Sequence, residues 1–192
     1  MSDREAILEL LSLLLLDPRT GLLMALLVMA AVIDWKSSRI PNWLTVGGMV
    51  LGLLINASKG TSLMAGLGHS AGGLALGLLL PMPLYAMRIL GAGDVKLMAV
   101  VGAFLGALLT LSAMLFSFMA GGVLAVGWAI SQGLFGRMAA NVAFIVTSLV
   151  HPAGGGWRAA APGQLPSIGR LPFGLGISAG TIAYLVIRQF NW

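Results

Sequence analysis

The sequence predicts an all-α, polytopic membrane protein, a helix bundle of about six transmembrane helices. Of its 192 residues, 58% are hydrophobic and only 9% are charged. The apolar residues form repeated runs close to the roughly 20 residues that cross a hydrocarbon core. A soluble domain carries about 25% charged residues, so a soluble globular fold is excluded. The 27 glycines are typical of membrane helices that pack closely through small residues.

The apolar runs predict a short segment followed by six spans. Residues 6–16 are too short to cross a bilayer, and no small-residue cleavage site follows them, so we expect residues 1–17 to form an N-terminal interfacial segment. Asp17 followed by Pro18 is a favourable helix start. The expected spans are residues 18–35, 43–58, 63–87, 95–110, 112–135 and 172–190.

Several features interrupt or follow these spans. Pro81 and Pro83 are predicted to kink or end the third helix. His69, a polar residue in the same span, is expected to pack against protein. Residues 138–150 are short for a crossing, so we expect an interfacial segment or a continuation of the fifth helix. Residues 152–170 contain three prolines and three consecutive glycines, which predicts an irregular surface loop.

The basic residues predict the orientation of the chain. With six spans, one side holds seven of the Lys and Arg residues and the other holds four. The seven are Lys36, Arg39, Arg88, Lys96, Arg137, Arg158 and Arg170, and the four are Arg4, Arg19, Lys59 and Arg188. The richer side should be cytoplasmic, which predicts a multi-pass protein of the cytoplasmic (inner) membrane with the lipid bilayer as its surroundings. The basic residues form no patch, so no nucleic acid partner is expected.

The membrane body contains only two acids, Asp34 and Asp94, because the other four lie within the first 17 residues. Asp34 ends the first span and Asp94 precedes the fourth, so both fall on the side expected to be cytoplasmic. Acids are costly near a membrane interior, which favours a functional role. Two carboxylates in a poorly solvated site tend to share one proton. Such a pair can activate water to split a peptide bond.

Each acid also has a structural interpretation. Asp94 follows Gly91-Ala92-Gly93 and could cap the start of a helix. Asp34 could pair with Lys36 or Arg39 as a solvated charge. The chain has no cysteine and two isolated histidines, so it offers no thiol nucleophile and no metal-ligand spacing. We therefore expect neither a metal nor a cofactor.

These residues carry a resemblance to a known family. Gly91-Ala92-Gly93-Asp94, followed by Val-Lys-Leu, resembles the GxGD signature of the type IV prepilin peptidase family of membrane aspartic proteases. Asp34, followed by Ile40-Pro41-Asn42, resembles the region of the family's first aspartate. The resemblance extends from about residue 20 to residue 190. It implies a membrane aspartic endopeptidase that removes the leader peptide of prepilin-like preproteins at the cytoplasmic face, with Asp34 and Asp94 as its dyad.

The resemblance also implies supporting roles for five residues. Gly91 and Gly93 would let the backbone bend and approach the substrate closely. Lys96 would tune the dyad or bind substrate. Pro41 and Asn42 would restart a helix and fix the direction in which Asp34 points.

Larger members of the family resemble this chain but carry a cytoplasmic insertion with paired Cys-x-x-Cys motifs, and they methylate the mature pilin. This chain has no cysteine and only a short loop from Lys36 to Asn42. It therefore resembles the compact branch, similar to the peptidases of tight-adherence (Flp) pili or the archaeal preflagellin peptidases, and no methyltransferase activity is expected. Residues 18–192 would form a single membrane peptidase domain. Pro172-Phe173-Gly174 would contribute to the wall of its site.

Two other functions remain open on the residues alone. In a small proton-coupled transporter, the two membrane acids would relay protons instead of activating water. In a non-enzymatic pilus-assembly membrane subunit, the glycine-rich helices would be docking faces and Asp94 a helix cap.

Overall fold

The computed structural model describes residues 17–87, 89–136, 139–140, 143 and 173–190. This part of the chain contains six helices of 14 to 25 residues and one five-residue helix. We number them α1 (Pro18–Ser37), α2 (Asn42–Lys59), α3 (Leu63–Leu79), α4 (Met82–Ala86), α5 (Ala92–Leu105), α6 (Ala107–Ser131) and α7 (Phe173–Phe190). The predicted all-α membrane bundle is confirmed.

Within the described part of the chain, three regions are long and apolar enough to cross a membrane by length and composition alone. They are Pro18–Ser37, Leu63–Ala86 and Ala107–Ser131, which coincide with the first, third and fifth predicted spans. The other three predicted spans fall in α2, α5 and α7. The predictions for residues 1–16 and for the loop 152–170 lie outside the described residues, and so does most of residues 138–150.

The predicted boundary between the fourth and fifth spans is wrong. α5 ends at Leu105 rather than residue 110, and α6 begins at Ala107. Between them Gly106 has a φ of +79°, a backbone conformation that favours glycine. Hydropathy does not reveal this break because the chain is apolar on both sides of it. The break predicted from Pro81 and Pro83 is present, since α3 ends at Leu79 and only the short α4 follows.

α1 begins as the sequence predicted, with Asp17 as its N-cap and Pro18 in its first turn. The Asp17 carboxylate accepts hydrogen bonds from the Arg19 N–H at 3.3 Å and the Thr20 hydroxyl at 3.2 Å. Lys59 Nζ, at the end of α2, forms an ion pair with Asp17 Oδ1 at 2.7 Å. The start of α1 and the end of α2 therefore lie at the same end of the bundle, so the two helices are antiparallel.

α5 is the central helix of the core. All of its residues from Leu97 to Leu105 are buried. It packs against α2 and α3 through glycines, as expected for membrane helices. A methyl group on Gly52 would lie 2.9 Å from the Ala103 backbone, and one on Gly73 would overlap the Gly102 carbonyl oxygen.

Polar side chains cap the end of α5, where the last carbonyl groups of a helix lack partners within it. Asn56 Nδ2 donates to the carbonyl oxygens of Ala103 at 2.7 Å and Phe104 at 3.2 Å, and the Ser70 hydroxyl also donates to Ala103. His69 Nε2 lies 3.1 Å from the Leu105 carbonyl oxygen. His69 thus contacts protein, as predicted.

The chain divides into two compact units at Gly121–Gly122. The described residues up to Gly121 form one unit together with α7, and the second begins at Gly122. Within the first unit α7 packs against α1 and α5, and the Ser178 hydroxyl donates to the Leu27 carbonyl oxygen at 2.8 Å. This packing brings the start of α7 beside the end of α1.

Candidate active site

Asp34 lies in the last turn of α1 and is 4% exposed. The helix ends three residues later, where Ser38 adopts a left-handed conformation with φ of 49° and its N–H donates to the Asp34 carbonyl oxygen at 2.7 Å. Neither Lys36 nor Arg39 forms an ion pair with Asp34, although all three residues are described. The interpretation of Asp34 as a solvated, paired charge is therefore wrong.

The Asp34 side chain points at the start of α7. Its carboxylate faces the backbone N–H groups of Gly174 and Leu175. The first N–H groups of a helix lack partners within it and favour an anion. Asp34 Oδ2 is buried and has no hydrogen-bond partner among the described residues. This oxygen lies against the start of α7, since a methyl group on Gly174 would be 2.7 Å from it.

Asp94 is the third residue of α5, and Gly91 is the N-cap. Asp94 is therefore not the N-cap residue, although its side chain does cap the start of the helix from the third position. Its carboxylate reaches back to the start of the helix, where Oδ2 accepts a hydrogen bond from the Gly91 N–H at 3.0 Å. A methyl group on Gly91 would lie 3.1 Å from this oxygen, so a larger residue there would crowd the carboxyl group.

The two acids meet at one end of the bundle. Asp34 ends α1 and Asp94 begins α5, and their carboxyl groups are close enough to interact electrostatically. The ion pair between Asp17 and Lys59 and the cap on α5 at Ala103 lie at the opposite end. The two carboxyl groups thus lie at the same end of the bundle, and neither forms an ion pair with a described cation.

Of the five supporting residues, Lys96 and Asn42 contact each other directly. Lys96 Nζ donates to Asn42 Oδ1 at 2.8 Å, which ties α5 to the start of α2. Pro41 is the N-cap of α2, and its carbonyl oxygen accepts from the N–H groups of Leu44 at 3.2 Å and Thr45 at 3.4 Å. Lys96 forms no ion pair with Asp34 or Asp94 among the described residues, so its action on the dyad stays a prediction.

Comparison with known families decides the identity of the chain. A model described as the type IV leader peptidase family matches residues 21–126. The chain belongs to the type IV leader peptidase family. The matched region includes both acids and all five supporting residues. No curated protein and no solved structure matches the chain significantly.

Two further residues lie beside the acids: Ile40, to which no role was assigned, and Gly174, which was expected in the wall of the site. Ile40 is buried in an otherwise exposed loop and contacts both Gly93 and Gly174. Gly174 contacts the Asp34 carboxylate, although it lies beyond the region that the family model matches. The sequence signal for Ile40 is one apolar residue in a polar loop. For Gly174 it is a glycine in the first turn of the last predicted span.

An apolar groove lies on the surface of the peptidase beside the last turns of α1. It is lined by Ala31, Val32, Trp35, Lys36 and Leu175, and its volume is about 200 Å³. Its walls come from the last turns of α1 and the first turn of α7, the same two elements that hold Asp34. No group of three or more His, Cys, Asp or Glu side chains occurs in the described part of the chain.

Proposed function

We propose that this peptidase is a membrane aspartic endopeptidase with Asp34 and Asp94 as its catalytic dyad. It removes the leader peptide of prepilin-like preproteins at the cytoplasmic face of the inner membrane. The observation that carries the proposal is the meeting of the two acids, which come from helices 60 residues apart in sequence. Membership of the type IV leader peptidase family supports the leader peptide as substrate.

The proposed reaction uses the two carboxyl groups in opposite protonation states. The ionised carboxylate takes a proton from a water molecule, whose oxygen attacks the carbonyl carbon of the scissile peptide bond. The protonated partner donates its proton to the carbonyl oxygen, and a tetrahedral intermediate forms. Collapse of this intermediate returns that proton to a carboxylate. The other carboxyl group protonates the leaving nitrogen, so the dyad ends with the single shared proton with which it began.

The basic residues around the site support its cytoplasmic placement. Lys36 and Arg39 are exposed and follow Asp34 closely in the chain, and Lys96 lies two residues after Asp94. Basic residues favour the cytoplasmic side of a membrane protein. A substrate with an apolar helix next to its leader would enter from the bilayer, and the groove at Trp35 and Leu175 offers an apolar approach to Asp34.

The test is coexpression with a candidate prepilin, followed by measurement of the product's mass and N-terminal residue. We expect leader removal without methylation by the unchanged chain, and no removal by Asp34→Asn or Asp94→Asn. Asp17→Asn is the matched control, because Asp17 lies at the opposite end of α1. Cleavage by both dyad variants at the normal rate would overturn the proposal. Solute or proton flux without proteolysis would instead favour a transporter.

A further inference from the structure

Ile40 occupies an unusual place in the loop between α1 and α2. Residues 36–39 are all exposed, whereas Ile40 is 9% exposed and belongs to the hydrophobic core. The loop has fixed ends, since Ser38 caps α1 and Pro41 caps α2. The loop therefore inserts a single apolar side chain into the protein at the level of the dyad.

The Ile40 side chain contacts two glycines on two different helices. A methyl group built on Gly93, at the start of α5, would lie 3.2 Å from Ile40 Cβ and 3.6 Å from Cγ1. A methyl group built on Gly174, at the start of α7, would lie 2.8 Å from Ile40 Cδ1. The base of the side chain thus faces α5 and its tip faces α7.

Both glycines are adjacent to an acid of the dyad. Gly93 directly precedes Asp94 in the chain. The backbone N–H of Gly174 faces the Asp34 carboxylate, and a methyl group on Gly174 would lie 2.7 Å from Asp34 Oδ2. Ile40 therefore fills the space between the two backbone segments that hold the carboxyl groups. Because protein interiors are closely packed, such a filler fixes the distance between its neighbours.

We propose that Ile40 is a positioning residue that sets the separation of the two carboxyl groups by holding the start of α5 at a fixed distance from the start of α7. Its catalytic consequence rests on the proposed function of the dyad. A displacement of about 1 Å in a catalytic group can cost about 100-fold in rate. Ile40 then acts on turnover rather than on substrate affinity.

Truncation of Ile40 in two steps tests the two contacts. Ile40→Val removes only Cδ1, the atom that faces Gly174, whereas Ile40→Ala also removes Cγ1, which faces Gly93 at 3.6 Å, and keeps Cβ. We expect kcat for leader cleavage to fall about 3-fold in the first and about 30-fold in the second, with KM changed less than about 2-fold. Equal kcat in Ile40→Ala and the unchanged chain would overturn the proposal.

Leu23→Ala is the matched control for general loss of packing. Leu23 is fully buried in α1, three helical turns before Asp34, and its truncation removes a similar apolar volume. We expect this variant to be less stable but to keep kcat within about 2-fold of the unchanged chain. A loss of kcat in Leu23→Ala equal to that in Ile40→Ala would show a structural effect and contradict the proposal.

A distance measurement tests Ile40 without substrate. Because the chain contains no cysteine, Ala92→Cys and Ala179→Cys place two spin labels at exposed positions of α5 and α7. We expect Ile40→Ala to give a shorter mean distance or a broader distribution in double electron–electron resonance, and Leu23→Ala to give neither. An unchanged distribution in Ile40→Ala would overturn the proposal. Cleavage by Asp34→Asn would instead overturn the proposed function and leave this measurement valid.

Discussion

The two ends of α1 each carry an aspartate, and the two residues are held in opposite ways. Asp17 is partly exposed, caps the start of the helix and pairs with Lys59 at 2.7 Å. Asp34 is buried in the last turn, where the helix dipole disfavours an anion, and pairs with no described cation. Its carboxylate instead meets the start of α7 and the second acid, Asp94.

Under the proposed function, this difference separates a stabilising acid from a catalytic acid within one helix. The surroundings of Asp17 favour its charge, so Asp17 strengthens the fold. Asp34 occupies a buried position next to another acid. Such an arrangement costs stability, so a protein keeps it where function requires it. Four predictions test this contrast, beginning with the largest expected effect.

Asp34→Asn and Asp94→Asn should each lower the rate of leader cleavage by at least about 1,000-fold, because neither amide can exchange the proton that the reaction needs. Asp17→Asn should keep the rate within about 2-fold of the unchanged chain. The measurement is the initial rate of cleavage with purified peptidase in detergent or vesicles. Both dyad variants should remain folded and inserted. A large loss of cleavage in the Asp17→Asn variant would contradict this division of roles within α1.

Gly174→Ala should lower kcat by about 10- to 100-fold, because the added methyl group would lie 2.7 Å from Asp34 Oδ2 and displace the carboxyl group. Gly68→Ala is the control, since a methyl group there meets nothing within 4 Å. In the middle of a helix this control change should be neutral or slightly stabilising. Normal kcat in Gly174→Ala would show that the start of α7 does not position Asp34.

Lys96→Met should have a smaller effect, lowering cleavage about 2- to 5-fold, because Lys96 contacts Asn42 rather than an acid. If the contact acts only by joining α5 to α2, Asn42→Ala should have the same effect, and the double variant should be no worse than either single variant. Cleavage assays of the three variants give the comparison. A much larger loss for Lys96→Met would indicate direct action on the dyad or substrate.

The ion pair at the other end of α1 predicts a small pH dependence of stability. Partial burial alone would raise the pKa of Asp17, but hydrogen bonds from Lys59, the Arg19 N–H and Thr20 outweigh it and hold the pKa below its usual value of 3.8. The stabilisation is therefore present above the pKa of the unfolded chain and is lost as pH falls through the lower, folded value.

Both partners are more than a third exposed, so the stabilisation should not exceed about 1 kcal/mol. Thermal unfolding in detergent should show Asp17→Asn less stable than the unchanged chain at pH 6, with a smaller difference at pH 3. A difference of equal size at both pH values would mean that the Asp17 charge contributes nothing.

Local sequence was sufficient for much of the site. The position of Asp34 at the end of a span follows from hydropathy, and the start of α1 follows from Asp17 and Pro18. The place of Asp94 within its helix was predicted less well. Whether it is the N-cap or the third residue depends on the hydrogen bond that its side chain accepts from the Gly91 N–H. The bond from Lys96 to Asn42 joins residues 54 positions apart and has no local signal.

By itself, the sequence determined a membrane helix bundle, its approximate spans and the two acids that stand out in it, because hydropathy and capping act between neighbouring residues. Only the tertiary structure decided that α5 ends at Leu105, before the break at Gly106, that the start of α7 contacts Asp34 through Gly174, and that Ile40 fills the space between the two helix starts. These features depend on close packing between segments far apart in the chain. Such packing cannot be inferred from the pattern of neighbouring residues.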